Sequence, residues 1–275
     1  MAPRPRLRYS AGVPYRIDIS YPPPDALDVL VDLGALDIES SGDALAAIMP
    51  DGVTRDTVAG KLCVPVVAVS AAVARDGGSV WLLRPQAVRI GGVLIAPTEG
   101  AAPSGALRLA DSDAFGTGHH PTTVLCIEAL AEALTVERVD RVLDVGTGSG
   151  ILALTALLIG AQQAVGLDID ANALKVAAEN ARVNHLAERL RLVLGGPDAV
   201  NGNWPIVIAN LLAAPLMEMA PVLAQRLGRR GRLILSGIPS SLEAEVRQAY
   251  RHCGIWNIDS KTRAGWTVLI AQASW

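Results

Sequence analysis

Between Arg141 and Asp170 the chain reads RVLDVGTGSGILALTALLIGAQQAVGLDID, and this stretch constrains the architecture more tightly than any other. The apolar run Val142 to Val145 suits a strand buried in a parallel sheet. It passes directly into glycines at alternate positions, Gly146, Gly148 and Gly150. The wholly apolar Ile151 to Ile159 follows, with Gly160 as a helix stop. Ala164 to Leu167 is a second short strand, ending in Asp168 and Asp170. A strand, a glycine turn, a helix and a strand in that order commit the chain to an α/β sheet.

Glycines at the turn let the backbone bend sharply and approach a bound molecule. An acid about 20 residues further on is placed to take both hydroxyls of a ribose. The dinucleotide fingerprint wants glycine at the first, third and sixth positions of the loop. Here the sixth position is Ile151, and the third glycine comes one residue early at Gly150. That spacing fits S-adenosylmethionine (SAM) better than NAD, because SAM has no pyrophosphate to lay on the helix N-terminus. The competing reading is a glycine turn that serves only strand-to-helix packing.

At 275 residues the chain can hold one large domain, or one with a small companion. Its single phenylalanine, Phe115, leaves aliphatic side chains to fill the core. A net charge of -3 makes no general case for direct nucleic-acid binding. The basic N-terminal MAPRPRLRYS lacks the apolar run of a signal peptide and reads as a mobile tail. No segment has the length and purity of a membrane span. Cys63, Cys126 and Cys253 lie far apart without pairing or metal-ligand spacing, which suits reduced thiols. The expectation is a cytoplasmic, monomeric enzyme.

Along the chain, Tyr15 to Tyr21 alternates as a half-buried strand and is stopped by Pro22, Pro23 and Pro24. A helix is predicted over Asp25 to Leu33, and strands over Leu36 to Ser40 and Ala44 to Met49. A helix capped by Thr54 should run to Leu62, before a strand over Val64 to Val73. That order is the one of a small ferredoxin-like unit. Residues 1–80 therefore read as a small α+β domain and 81–106, rich in glycine and proline, as a connector containing the strand Val93 to Pro97. Residues 107–275 read as a mostly parallel sheet of about seven strands with helices on both faces and one antiparallel strand near the end. Its helices are expected at Thr122 to Leu134, from an Asn172 cap to Asn184, at Pro215 to Leu227 and at Ser241 to His252. Ligands in such sheets sit at the carboxyl ends of the strands, where Gly146, Asp168 and Asn210 fall.

A second informative stretch, DAFGTGHHPTT at Asp113 to Thr123, lies just before the first of these helices. Its glycines suit a loop folding closely over a ligand, and Thr122 and Thr123 sit where free helix N–H groups bind polar groups. Taken with VLDVGTGSGILAL (Val142 to Leu154), GLDID (Gly166 to Asp170), ANLLAAPL (Ala209 to Leu216), LILSGI (Leu233 to Ile238) and Trp266, it resembles the PrmA family, the ribosomal protein L11 methyltransferases. The resemblance covers about Leu107 to the C-terminus. It implies a class I methyltransferase (Rossmann-like) domain beside a ferredoxin-like substrate-recognition domain, with SAM as cofactor.

Carried over by position, it implies that Thr123, Gly146, Gly148, Asp168 and Asn210 contact SAM. Phe115 and Thr117 would belong to the loop over its methionine moiety. The acceptor implied is a lysine or α-amine of a ribosomal protein. The chain departs from the family where Asp-Pro-Gly is Ala110-Asp111-Ser112, where the loop cysteine is Thr147, and where a tryptophan-rich linker is reduced to Trp81 with RPQAVRIGG.

An amine acceptor must be neutral to react, and Asn210 can orient it by accepting its hydrogen bond. His119 and His120 are candidates for proton transfer, against a plainer role in packing or capping the loop. Nothing is spaced for a metal or for covalent catalysis. Two other readings stand beside this one: a SAM-dependent enzyme acting on another protein or a small amine or acid, and a SAM-binding module without turnover.

Overall fold

The structure is a computed structural model that describes residues 13–41, 44–64, 68–72, 87–98, 103–110, 120–136 and 139–275. It divides into two compact units, Met1–Arg84 and Pro85–Trp275.

In the first unit, strand β1 (Tyr15–Ser20) alternates as expected, with Tyr15, Ile17 and Ile19 buried. Helix α1 (Ala26–Asp32) buries Ala26, Leu27 and Leu30, which share one face at helical spacing. Strands β2 (Asp37–Ser41) and β3 (Ala44–Met49) precede helix α2 (Arg55–Leu62), which the Thr54 side chain caps by accepting from the Thr57 N–H. Strand β4 (Ala68–Ala71) is the described part of the expected Val64 to Val73 strand, since 65–67 and 73 lie outside the described residues. The sheet runs β2-β3-β1-β4, antiparallel throughout, which with this element order is the ferredoxin-like arrangement.

The second unit begins with β5 (Val88–Ile90), β6 (Val93–Pro97) and β7 (Leu107–Leu109), a three-stranded sheet in the region whose composition suggests a connector. Ile90, Val93, Ile95, Leu107 and Leu109 share a core with helices α3 (Pro121–Val136) and α4 (Ile151–Ile159). Helix α4 is apolar all round because β7 lies against one side of it and the main sheet against the other.

The main sheet comprises β8 (Arg141–Val145), β9 (Gln163–Asp168), β10 (Leu190–Leu194), β11 (Trp204–Asn210), β12 (Leu227–Pro239), β13 (Asn257–Arg263) and β14 (Trp266–Gln272). Its order is β10-β9-β8-β11-β12-β14-β13, and β14 alone runs antiparallel to its neighbours. This is the Rossmann-like strand order that the resemblance implies.

Helices α3, α4 and α5 (Ala171–Val183) pack on one face. Helices α6 (Ala213–Glu218), α7 (Ala220–Arg226) and α8 (Glu243–His252) pack on the other. The period of two along a strand sorts β11 between them: Ile206 and Ile208 face α3 and α4, while Val207 and Ala209 face the other helices. Asn210 shares the parity of Ile206 and Ile208, which directs it to the α3 side.

Two predicted helices differ in detail. The one expected at Pro215 to Leu227 divides at Met219, because Pro221 has no N–H to give the carbonyl four residues back. The cap of α5 is Asp170, two residues earlier than Asn172; its Oδ1 accepts from the Asn172 N–H at 2.8 Å.

Helix α5 also ties the site together from behind. Fully buried Asn180 donates to the Ser149 carbonyl at 2.8 Å and accepts from the Ala110 N–H at 2.7 Å. One turn later, Asn184 accepts from the Arg108 N–H at 2.7 Å and donates to its carbonyl at 2.6 Å. Asn180→Ala leaves two backbone groups without partners and should cost about 2–4 kcal/mol. Urea denaturation gives that figure, and faster amide exchange at Ala110 should accompany it.

Candidate functional site

Chain order reverses in the sheet between β8 and β11, and such a reversal opens a crevice at the strands' carboxyl ends. The glycine turn emerges there from β8. Its first two amides, of Gly146 and Thr147, both donate to the Leu167 carbonyl at 2.8 Å. The third, of Gly148, donates to Asp168 Oδ2 at 2.9 Å. Asp168 Oδ1 accepts from the Asp170 N–H at 2.9 Å, so each carboxylate oxygen is fixed by one amide and keeps a lone pair for something else. The following Ile169 projects into solvent, 85% exposed.

Across the crevice, Asn210 ends β11 and donates from Nδ2 to Thr123 Oγ1 at 3.4 Å. Thr123 is fully buried in the first turn of α3. The amide oxygen of Asn210 is buried and has no partner among the described residues. A buried acceptor without a donor is costly and rare in native proteins, and it points to a group that arrives with a bound molecule.

The chain just past Asn210 is held by glycines. A Cβ on Gly146, whose φ is +73°, would come within 2.4 Å of Leu211 Cδ2; one on Gly237, at φ +83°, within 2.1 Å of the Leu211 carbonyl oxygen. Leu211 thus sits between the turn after β8 and the bend in β12, and its N–H donates to the Ser236 carbonyl at 3.0 Å. No residue with a side chain fits at either glycine without moving it.

Beneath the turn lies Asp144, fully buried because its parity in β8 matches Val142 and faces α4. Its Oδ2 accepts from Thr147 Oγ1 at 2.7 Å and from the Ala153 N–H at 3.1 Å, while Oδ1 has no partner among the described residues. Burial pushes its pKa up to about 6, and those hydrogen bonds only partly oppose this. His120 is shifted the other way, to about 4, again by burial. Its ring meets Trp266 edge-on at 5.1 Å, and Nδ1 lies 2.8 Å from Thr122 Oγ1. His120 is therefore neutral near pH 7 and packed against the start of α3. The expected loop residues Phe115 and Thr117, with His119, lie outside the described residues.

Thr123, Gly146, Gly148, Asp168 and Asn210 thus gather around one crevice, from three strand ends and one helix start. Sequence reasoning overlooked Asp144, Leu211, Gly237 and Ile169. The signals were present in two cases: a lone acid inside the apolar run RVLDV, and a glycine closing the apolar run of LILSGI.

Comparison with known proteins gives one consistent picture. The sequence model of a family described as "Ribosomal protein L11 methyltransferase (PrmA)" matches residues 70–274. A ribosomal protein L11 methyltransferase of Syntrophotalea carbinolica is 46% identical over 157 residues, which cover 57% of this chain and 51% of that protein. One from Pelobacter propionicus is 35% identical over 217 residues, covering 76% and 70%. The crystal structure of ribosomal protein L11 methylase from Lactobacillus delbrueckii subsp. bulgaricus matches with a TM-score of 0.61 at 30% identity, over 66% of this chain and 95% of that one. The first of these relatives is matched over about half its own length.

Asp144 and His120 give opposite pH dependences. Asp144, raised in the fold, stabilises it below about pH 4 and loses that contribution as pH rises through about 6. His120, depressed in the fold, stabilises it above its ordinary pKa and loses that contribution as pH falls through about 4. Asp144→Asn keeps an acceptor oxygen but removes the first effect. Its stability relative to the parent should rise by about 2–3 kcal/mol between pH 4 and pH 7. Urea unfolding at both pH values measures this, and parallel curves would contradict it.

Proposed function

The chain belongs to the ribosomal protein L11 methyltransferase (PrmA) family, and on that footing we propose that it transfers a methyl group from SAM to amino groups of a protein, with ribosomal protein L11 as acceptor. The unpartnered, buried oxygen of Asn210, at the crevice where the strand order reverses, is the observation that carries this reading.

The residues suit SAM as a bound group. Asp168 presents two oxygens, each already oriented by one backbone amide, to the two hydroxyls of a ribose. Ile169 offers an apolar face immediately beside it for the adenine. Thr123 and the turn at Gly146 and Gly148 line the approach to Asn210. SAM, when bound, supplies a methyl group already activated on a sulfonium. What remains for the protein is to hold the acceptor in line and to keep its nitrogen neutral.

A lysine amine has a pKa near 10.4, so deprotonating it at pH 7 costs about 4–5 kcal/mol in water. Removing it from water lowers that cost, because desolvation disfavours the charged form. Asn210 Oδ1 accepts a hydrogen bond from the neutral amine and thereby points its lone pair. The methyl carbon's bond to sulfur breaks as its bond to nitrogen forms, and the proton given up by the amine leaves to solvent.

The first unit is proposed as the substrate-recognition domain. Most of it lies before residue 70, where the family match begins, and this favours a second reading in which the same chemistry serves a different protein or a small amine. Incubation with SAM and unmodified L11, read by mass spectrometry, should give methyl-sized mass increments on L11. Bound SAM with no increment on L11, but transfer to another acceptor in a labelled-SAM screen, would favour the second reading. Asp168→Ala should weaken SAM binding on the order of 100-fold by calorimetry, because charge-assisted bonds to both hydroxyls are lost. Asn210→Ala should lower kcat about 100-fold through loss of an oriented amine, measured under saturating SAM.

A further inference from the structure

At the opposite end of the sheet, the amino ends of β8 to β11 line an open cavity of about 560 Å³. It exists because the link from β10 to β11 is short. Residues 195–203 must cross three strand spacings, about 14 Å, and return along a strand of about 16 Å. Nine residues extend to roughly 30 Å, which leaves only a single 3-10 turn, Pro197–Ala199, and no helix to cover this part of the face.

The lining is basic in a chain whose net charge is negative. Arg141, Arg189 and Arg191 contribute to it, with Glu188 the single acid. Arg189 is occupied, donating to the carbonyls of Gln162, Leu157 and Ala161. Arg141 lies with its guanidinium carbon 5.0 Å from the centre of the Trp204 ring and gives one N–H to the Asn203 carbonyl at 2.9 Å, leaving its other donors available. Arg191 is exposed. Trp204 is only 5% exposed, and its indole N–H has no partner among the described residues.

An indole N–H can only donate, so what completes it must be an acceptor. Two guanidinium groups on the same lining, Arg141 against the Trp204 ring and Arg191 across the cavity on β10, select an acceptor carrying negative charge, and planar guanidinium matches phosphate and carboxylate alike. The cavity volume is that of a small-molecule site rather than of a single ion. We propose that this cavity binds a small molecule bearing oxyanion groups, with the Trp204 indole N–H as the buried donor and Arg141 and Arg191 as its counter-charges. The site stands about one strand length from the crevice of Asp168 and Asn210 and does not depend on the reading of that crevice.

The test uses the full chain with 15N-labelled tryptophan, titrated separately with pyrophosphate and with citrate. The Trp204 indole resonance is identified as the one missing from Trp204→Phe. A saturable shift of that resonance with pyrophosphate alone assigns a phosphate ligand, with citrate alone a carboxylate ligand, and with both the shared oxyanion chemistry. Calorimetry should then give affinities about tenfold weaker in Trp204→Phe, which keeps the ring under Arg141, and in Arg191→Gln. Trp204→Phe also removes buried ring volume and should lower Tm, whereas Arg191→Gln, at an exposed position, should leave Tm unchanged and so keeps the affinity test independent of stability. No saturable shift with either anion, or affinities equal in parent and variants, would overturn the proposal.

Discussion

Three successive amides of the glycine turn, those of Gly146, Thr147 and Gly148, end on the last two residues of β9. Much of the site follows from that arrangement. It draws the turn against the neighbouring strand, aims the Asp168 carboxylate outward with both oxygens fixed, and starts α4 where its N-terminal Ala153 amide can reach buried Asp144. The bonds are available only because the turn can take backbone angles closed to most side chains and because β9 lies beside β8 in parallel register.

Around that clamp, the second unit secures the site from several directions. Asn180 joins the far end of the turn to Ala110, and Leu211, held between two glycines, fixes the exit of β11 beside Asn210. Most of these contacts are backbone bonds or close approaches rather than ion pairs. Such a scaffold tolerates changes of surface charge while remaining intolerant of added volume at Gly146 or Gly237. Among the buried polar atoms it leaves without a partner among the described residues are Asn210 Oδ1, toward one end of the sheet, and Trp204 Nε1, toward the other. Each marks a place where the fold provides more hydrogen-bonding capacity than it uses.

Much of this was legible in the residues. The ordered motifs around Gly146, Asp168 and Asn210 carried both the fold and the grouping of the candidate site, because strand ends in a parallel sheet converge on one edge. The first unit was legible from alternation and turn residues, in spite of its short elements. The sheet formed by β5, β6 and β7 was not: its strands are short, and Gly91 and Gly92, which suggest a linker, are the turn of its hairpin. The split between α6 and α7 was in principle readable from Pro221, but the apolar period continues through it.

Local sequence by itself determined most elements of the main sheet and its helices, their α/β succession, and the glycine turn at which an adenosine-bearing ligand is proposed. These depend on periodicity, backbone freedom and spacing, which a linear string carries. Tertiary structure decided what depends on distant neighbours. Burial by α4 raises the pKa of Asp144, the approach of β12 traps Leu211, and the parity of β11 turns Asn210 toward Thr123 while leaving its oxygen without a partner among the described residues. Desolvation and hydrogen-bond satisfaction are properties of the surroundings, and those surroundings come from residues as far as 87 positions away along the chain.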